Sequence, residues 1–175
     1  MRLFVALPLP PPLRARLAGY ARPLPGVRWL PADNLHLTVN FLGDVDEGAL
    51  PPLAEALAGA CRAQPAFELA FERIGPAPRR RPRMVWAWAG AEPRLAALAE
   101  AVAAAAAPCA PAARPPRTER PHVTLARLRG RAPAGLPDEP MDERVRVTAC
   151  ELVQSRLGPG GAAYTALVVL PLASS

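Results

Sequence analysis

Two segments of the chain alternate hydrophobic and polar residues in the same four-residue pattern. Residues 36–39 read His-Leu-Thr-Val, and residues 122–125 read His-Val-Thr-Leu. Such alternation is typical of a half-buried β-strand, in which successive side chains point to opposite faces. Each segment therefore predicts a strand that carries a histidine and a threonine on one face and two aliphatic side chains on the other.

The pattern along the rest of the chain predicts strands and helices in an order that repeats. Other alternating or β-branched segments predict strands at 2–9, 67–75, 84–90, 144–157 and 162–172, the last two joined by the turn Gly158 to Gly161. Apolar residues at helical spacing predict helices at 11–20, from Asp46 as N-cap to about 63, and at 92–107. Strand, helix, strand, strand thus occurs twice, with proline-rich loops at 108–121 and 130–142.

This order predicts an α/β (α+β) fold of two pseudo-symmetric lobes, with mostly antiparallel sheet, helices on the outer faces and a central cleft. Several connections are too short for a crossover helix, which favours antiparallel pairing. We expect residues 1–175 to form a single bilobal domain, with lobes of approximately 1–90 and 91–175 and terminal strands that can cross over. The 51% hydrophobic content is sufficient to fill a core of this size.

Composition narrows the cellular setting and the partners. The net charge is +6, all 21 basic residues are arginine, and a polyanionic partner such as RNA is favoured. Cys61, Cys109 and Cys150 are odd in number and widely spaced, which argues against a disulfide framework and a zinc ribbon. We expect a reduced, cytoplasmic setting. No apolar segment approaches the roughly 20 residues of a membrane span, so no membrane partner is expected.

His36 and His122 are the only histidines, and both occupy the repeated pattern. In-line displacement at phosphorus needs a base for the attacking water and an acid for the departing oxygen, and two histidines on facing strands supply both. Thr38 and Thr124 are predicted to donate hydrogen bonds to the non-bridging oxygens. Two histidines are too few ligands for zinc, so we predict no metal and no cofactor. A strained cyclic phosphate is the substrate that this chemistry favours.

With these two motifs, the chain resembles the two-histidine (2H) phosphoesterases, and within them the bacterial and archaeal RNA 2',3'-cyclic phosphodiesterases once called 2'-5' RNA ligases (LigT-like). The resemblance includes "RLFVALPLP", "VRWLPADNLHLTVNFLGDV", "RPHVTLAR" and "LVQSRLGPGGAAYTAL". It implies hydrolysis of RNA 2',3'-cyclic phosphate ends to 2'-phosphate ends, with His36 as proton donor to the 3' oxygen and His122 as the base. The approximate symmetry of the motifs leaves these two roles unassigned without the resemblance. The resemblance also implies RNA rather than DNA as the partner.

Four further features carry weaker predictions. Arg127 matches the arginine that closes the second motif in the family, but regular alternation places it opposite His122, so a phosphate contact requires a bulge; the alternative is a solvated arginine. Asn40 shares a face with His36 under regular alternation and is a candidate ribose contact. Trp86 and Trp88 are expected in the core, with a stacking surface as the alternative. The arginine run 79–83 is either a solvated loop or a track for an RNA backbone.

Two other functions stay open at this point. A non-catalytic module that binds RNA ends fits the charge, although binding alone does not require two titratable groups. A 2H phosphodiesterase acting on small cyclic nucleotides is also compatible with the motifs. Reversible 2'-5' ligation is a further expectation, without a P-loop to drive it. We expect a monomer, because one chain contains both half-sites.

Overall fold

The structure, a computed structural model, describes residues 1–116, 118–159 and 161–174. Within these residues the chain forms one nine-stranded sheet and three α-helices. The strands are β1 (Arg2–Pro8), β2 (Val27–Trp29), β3 (His36–Asp44), β4 (Phe67–Ala77), β5 (Met84–Ala89), β6 (His122–Leu128), β7 (Glu139–Val147), β8 (Ala149–Gly158) and β9 (Gly161–Pro171). The helices are α1 (Pro11–Ala18), α2 (Leu50–Arg62) and α3 (Pro93–Ala106), and the segments Ala32–Asn34 and Glu47–Ala49 form short 3-10 turns.

The strands lie in the order β7-β4-β5-β6-β3-β1-β8-β9, and β2 also pairs with β6. Every pairing between these strands is antiparallel, and the sheet curls into a half-barrel. The predicted antiparallel α+β fold is therefore confirmed. The C-terminal hairpin β8–β9 pairs with β1, and β4 and β5 lie beside β6 and β7. The lobe boundary near residue 90 stays a prediction.

The hydrophobic core lies between the helices and one face of the sheet. Leu37 of β3 and Val123 of β6 are buried in a cluster that includes Leu13 of α1, Leu57 of α2 and Leu98 of α3. The alternation predicted for the two motifs thus sends their aliphatic residues toward the helices. Their histidines and threonines, which are half-buried, lie on the other face.

Three predicted element boundaries are wrong. The predicted loop at 130–142 ends earlier, because β7 begins at Glu139. The segment 144–157 is not one strand, because β7 ends at Val147 and β8 begins at Ala149. β7 lies at one end of the strand order, and β8 lies near the other end. Both pieces are β-rich, so the pattern could not reveal the break. Asp46 does not cap α2, since it precedes a 3-10 turn and its side chain makes no capping bond. The predicted turn at 158–161 includes Gly160 and the loop at 108–121 includes Arg117, and these two residues lie outside the described ranges.

No helix in the described ranges is long and apolar enough to cross a membrane.

Candidate active site

The two motif strands are neighbours in the sheet, and a single residue pair joins them. Leu37 of β3 pairs with Val123 of β6 in antiparallel orientation. Extended by one residue on either side, this register brings His36 across from Thr124 and Thr38 across from His122, all on the face away from the helices. Directly opposite residues in such a pair lie about 5 Å apart and diagonal ones about 7–8 Å. The two histidines therefore form one diagonal of a square and the two threonines the other.

Each imidazole is held by a hydrogen bond of the same kind, from its Nδ1 to the backbone carbonyl oxygen two residues earlier. Nδ1 of His36 lies 2.8 Å from the carbonyl oxygen of Asn34, and Nδ1 of His122 lies 2.9 Å from the carbonyl oxygen of Arg120. A carbonyl oxygen only accepts, so Nδ1 carries the proton in both rings. Nε2 of each ring is then the atom that gains or loses a proton. In His36, Nε2 lies 3.2 Å from Oγ1 of Thr38, whose hydroxyl donates to the neutral ring.

Each imidazole is shielded by aromatic residues. The ring of His36 lies 4.8 Å from that of Phe4 and 5.1 Å from that of Tyr164, which meets it edge-on. The ring of His122 stacks on Trp86, with centroids 3.6 Å apart and planes within 14°. Trp88 packs edge-on against Trp86 at 5.8 Å. The two tryptophans thus line the site face, half-buried, and do not belong to the core.

This shielding sets the protonation of the site. Burial lowers the pKa of His36, although its bond to the Asn34 carbonyl opposes the shift and the nearby charge of His122 adds to it. Burial likewise lowers the pKa of His122, against the raising effect of the Arg120 carbonyl. Because an unperturbed histidine titrates near pH 6.5, both rings are mainly neutral at pH 7 in the free protein.

A β-bulge follows each motif and changes the face of the residues beyond it. In β3 the pairing with β1 shifts between Thr38 and Asn40, and in β6 the pairing with β5 shifts between Thr124 and Ala126. Two consecutive residues of each strand are consequently buried. The residues that return to the site face are Phe41, which is 51% exposed, and Arg127, which is also exposed.

The prediction that Asn40 faces the site is wrong. Asn40 is 2% exposed, and its amide nitrogen, oriented to satisfy the surrounding groups, donates to the carbonyl oxygens of Val39 and Ala99 at 3.2 Å each. Ala99 belongs to α3, so the bulge turns Asn40 toward the helices. Its counterpart in the second motif is the small residue Ala126, a signal in the sequence that this position is internal.

The bulge has the opposite consequence for Arg127. It supplies the change of face that regular alternation denied, so Arg127 lies on the same face as His122 and Thr124. Arg127 pairs with Arg28 of β2 on one side and with Met84 of β5 on the other. A phosphate contact by Arg127 stays a prediction, now without the geometric objection.

Sequence reasoning missed Tyr164, one of the two aromatic residues that contact His36. Tyr164 lies on β9, more than a hundred residues from the first motif, and only the strand order brings it to the site. Phe4, Ala6 and Val153 form a small separate cluster, against which Tyr164 packs on the site face. No local pattern in "GAAYTAL" distinguishes Tyr164 from an ordinary strand residue.

Comparison with known proteins places the chain in a family. The model of the family described as LigT-like phosphoesterase matches residues 7–86. The RNA 2',3'-cyclic phosphodiesterase of Thermus thermophilus is 35% identical over 95% of this chain and 88% of its own length, and that of Escherichia coli is 34% identical over 95% and 93%. The Archaeoglobus fulgidus protein of the same name is 37% identical, but the match spans only 59% of it.

Solved structures agree with this assignment. The crystal structure of a Thermus thermophilus protein covers 100% of this chain and of its own with a TM-score of 0.83 and 31% identity. Apo Escherichia coli LigT gives a TM-score of 0.77 and 31% identity, covering 98% of this chain and 97% of its own. Escherichia coli LigT complexed with 3'-AMP gives 0.75 and 32%, with the same coverage. Identity above 30% over most of both chains, together with the shared fold, shows that this chain belongs to the LigT-like phosphoesterase family.

Proposed function

We propose that this protein hydrolyses 2',3'-cyclic phosphate ends of RNA to 2'-phosphate ends, without a metal ion. The observation that carries the proposal is the crossed arrangement of His36, Thr38, His122 and Thr124, in which each ring has only Nε2 available for proton transfer. The name shared by the curated relatives supports the same substrate. The complex of Escherichia coli LigT with 3'-AMP supports a nucleotide ligand.

In the proposed reaction the phosphorus lies between the two imidazoles. Nε2 of His122 takes a proton from water as the water oxygen bonds to phosphorus. Nε2 of His36 gives a proton to the 3' oxygen as its bond to phosphorus breaks, and the phosphate stays on the 2' oxygen. The hydroxyls of Thr38 and Thr124 donate to the non-bridging oxygens, where negative charge increases. The resemblance to the family supports this assignment of acid and base.

The lowered pKa values are compatible with His122 as the base and His36 as the acid. The neutral ring of His122 is ready to accept a proton at pH 7. His36 must acquire one, and an anionic phosphate beside it raises its pKa, because an opposite charge favours the protonated form. The bound substrate thus favours the uptake of a proton from solvent by His36, and both groups contribute to a bell-shaped dependence of rate on pH.

The test uses an RNA oligonucleotide with a 2',3'-cyclic phosphate end and the variants His36→Ala and His122→Ala. Each general acid or base contributes about 10² to 10⁴ in rate, so each variant is expected to lose at least about a hundredfold in kcat. Because the two groups act in one step, the double variant is expected to lose little more than either single variant. Folded variants that retain the turnover of the wild type would overturn the proposal.

Two further measurements separate the alternatives. Turnover that persists in EDTA, with 2'-phosphate identified as the product end by NMR, supports the metal-independent reaction, and loss of turnover in EDTA contradicts it. Wild-type protein that binds the cyclic-phosphate RNA without hydrolysing it would instead indicate a binding module.

A cytoplasmic monomer is part of the proposal, because one chain contributes both half-sites. Reversible 2'-5' ligation stays a prediction.

A further inference from the structure

We propose that Arg127 and the arginines of the β4–β5 loop, Arg79, Arg80, Arg81 and Arg83, bind the phosphodiester backbone of the RNA on the 5' side of its cyclic phosphate. The inference rests on the proposed function and adds that the preferred substrate is an oligonucleotide. We name these five residues the arginine track.

The first step is the position of Arg127. The bulge in β6 places Arg127 on the same face as His122 and Thr124, as the next residue after Thr124 that points to this face. Two to three residues of strand correspond to about 7–10 Å. Arg127 therefore lies within reach of the phosphate next to the one held in the site. Its backbone partner across the β2–β6 pair is Arg28, whose guanidinium lies beside Gly161 of β9.

The second step is the attachment of the loop to the same end of β6. The backbone nitrogen of Arg83 donates to the carbonyl oxygen of Ala77 at 2.9 Å and closes the β4–β5 hairpin. The carbonyl oxygen of Arg83 accepts a hydrogen bond from the backbone nitrogen of Leu128 at 2.8 Å. Because Leu128 follows Arg127, these bonds fix the arginine-rich loop beside it.

The third step is charge. All five arginines of the track are exposed, and their side chains form no ion pair with any described residue, unlike Arg16 with Glu143 and Arg73 with Asp138. Like charges held together on adjacent elements repel one another, and an anionic ligand relieves that repulsion. A planar guanidinium is also suited to phosphate oxygens.

The fourth step is direction. His36 lies opposite Thr124, at the end of the square that continues to Arg127. The 3' oxygen that His36 protonates remains attached to the terminal ribose, whereas water attacks from the side of His122. The ribose, and the RNA chain that continues from its 5' carbon, thus lie at the end of the site that leads to the arginine track. This continuity with the site favours RNA over an acidic lipid or protein as the occupant.

The experiment compares two charge-matched double variants. Arg79→Gln with Arg80→Gln removes two charges from the track, and Arg14→Gln with Arg62→Gln removes two from α1 and α2, on the opposite face of the sheet. The substrates are a cyclic-phosphate oligonucleotide and a mononucleotide 2',3'-cyclic phosphate. The measurements are kcat/KM over a range of salt concentrations, and thermal unfolding to show that the variants fold.

The track variant is expected to lose between about twofold and thirtyfold in kcat/KM on the oligonucleotide at low salt, and little on the mononucleotide. Its salt dependence is expected to weaken, since each phosphate contact contributes a slope of about 0.7 with single strands. The control variant is expected to match the wild type on both substrates. Equal losses in both variants, equal losses on both substrates, or no loss on the oligonucleotide would overturn the inference.

Two outcomes keep this inference distinct from the proposed function. If the wild type hydrolyses neither substrate, the proposed function fails, and anisotropy of a labelled RNA with a 2'-phosphate end still tests the track. Weaker binding of that RNA by the track variant alone supports the inference. Unchanged RNA binding together with weakened binding to vesicles containing anionic lipid would contradict it and indicate a membrane surface.

Discussion

Replacing Trp86 by alanine should raise the pKa of His122 and shift the activity profile toward higher pH. Burial is the main cause of the lowered pKa of His122, and Trp86 covers one face of its ring at 3.6 Å. Removing the indole admits water to that face, so the pKa is expected to rise toward the ordinary value of about 6.5. Because the proposed mechanism requires a neutral His122 as the base, the acid limb of kcat/KM is expected to move to higher pH with this pKa.

The same substitution has a stability cost that follows from the structure. The stack contributes about 0.5–1.5 kcal/mol, and the buried half of the indole, roughly 100 Å² at about 25 cal/mol per Å², contributes about 2.5 kcal/mol. Against this, the indole Nε1 is buried without a hydrogen-bond partner among the described residues, which costs about 1–3 kcal/mol. We expect Trp86→Ala to lower the free energy of unfolding by about 0–3 kcal/mol.

Trp86→Phe is the matched control, because it keeps an aromatic ring over His122 and removes the unpartnered N–H. It is expected to leave the pKa of His122 near that of the wild type, with a change in stability below about 1 kcal/mol. The assay is NMR titration of the imidazole nitrogens, and with only two histidines in the chain, His36 serves as an internal reference. An unchanged or lowered pKa of His122 in Trp86→Ala, or an equal rise in Trp86→Phe, would refute the reasoning.

Three further predictions follow from the site. Asn40→Ala is expected to lower the free energy of unfolding by about 1–3 kcal/mol, measured by urea denaturation, while leaving KM unchanged, because its amide bonds α3; a raised KM at unchanged stability would restore the ribose contact. Thr38→Val and Thr124→Val are each expected to reduce kcat by about 10² to 10³ with little change in thermal stability, whereas a fall in kcat below tenfold would argue against donation to the phosphate. The pKa values of His36 and His122 are lower in the folded protein than in the unfolded chain, so the folded protein binds fewer protons. The free energy of unfolding is therefore expected to have its full value above about pH 6.5 and to fall as the pH drops through the folded pKa values. The double variant His36→Gln with His122→Gln should flatten this pH dependence.

The sequence was sufficient for the parts of the site that depend on local alternation. His36 and Thr38 share a face because one residue separates them, and the same holds for His122 and Thr124, so their placement needed no tertiary information. The rule failed from the fourth residue after each histidine onward, because a bulge turned Asn40 inward in the first motif and Arg127, the fifth residue after His122, outward in the second. A bulge is an extra residue in one strand relative to the strand paired with it, and the sequence pattern does not reveal which strand that is.

Strand order was also beyond the sequence pattern. The division of 144–157 into β7 and β8 depends on which neighbours each piece finds, and these lie on opposite sides of the sheet. Tyr164 reaches His36 for the same reason, through the pairing of β9 with β8 and of β8 with β1. Contacts of this kind are long-range, so composition and periodicity carry no record of them.

Asn34 makes two hydrogen bonds that connect the C-terminal hairpin to His36, the proposed proton donor. Its side-chain nitrogen donates to the carbonyl oxygen of Ala162 near the tip of the β8–β9 hairpin at 2.8 Å, and its own carbonyl oxygen accepts the Nδ1 proton of His36. Tyr164, two residues beyond Ala162, touches the same imidazole. A displacement of Ala162 and Tyr164 would therefore reach the imidazole of His36 through both contacts, so the position of this part of β9 influences the orientation of the proposed acid.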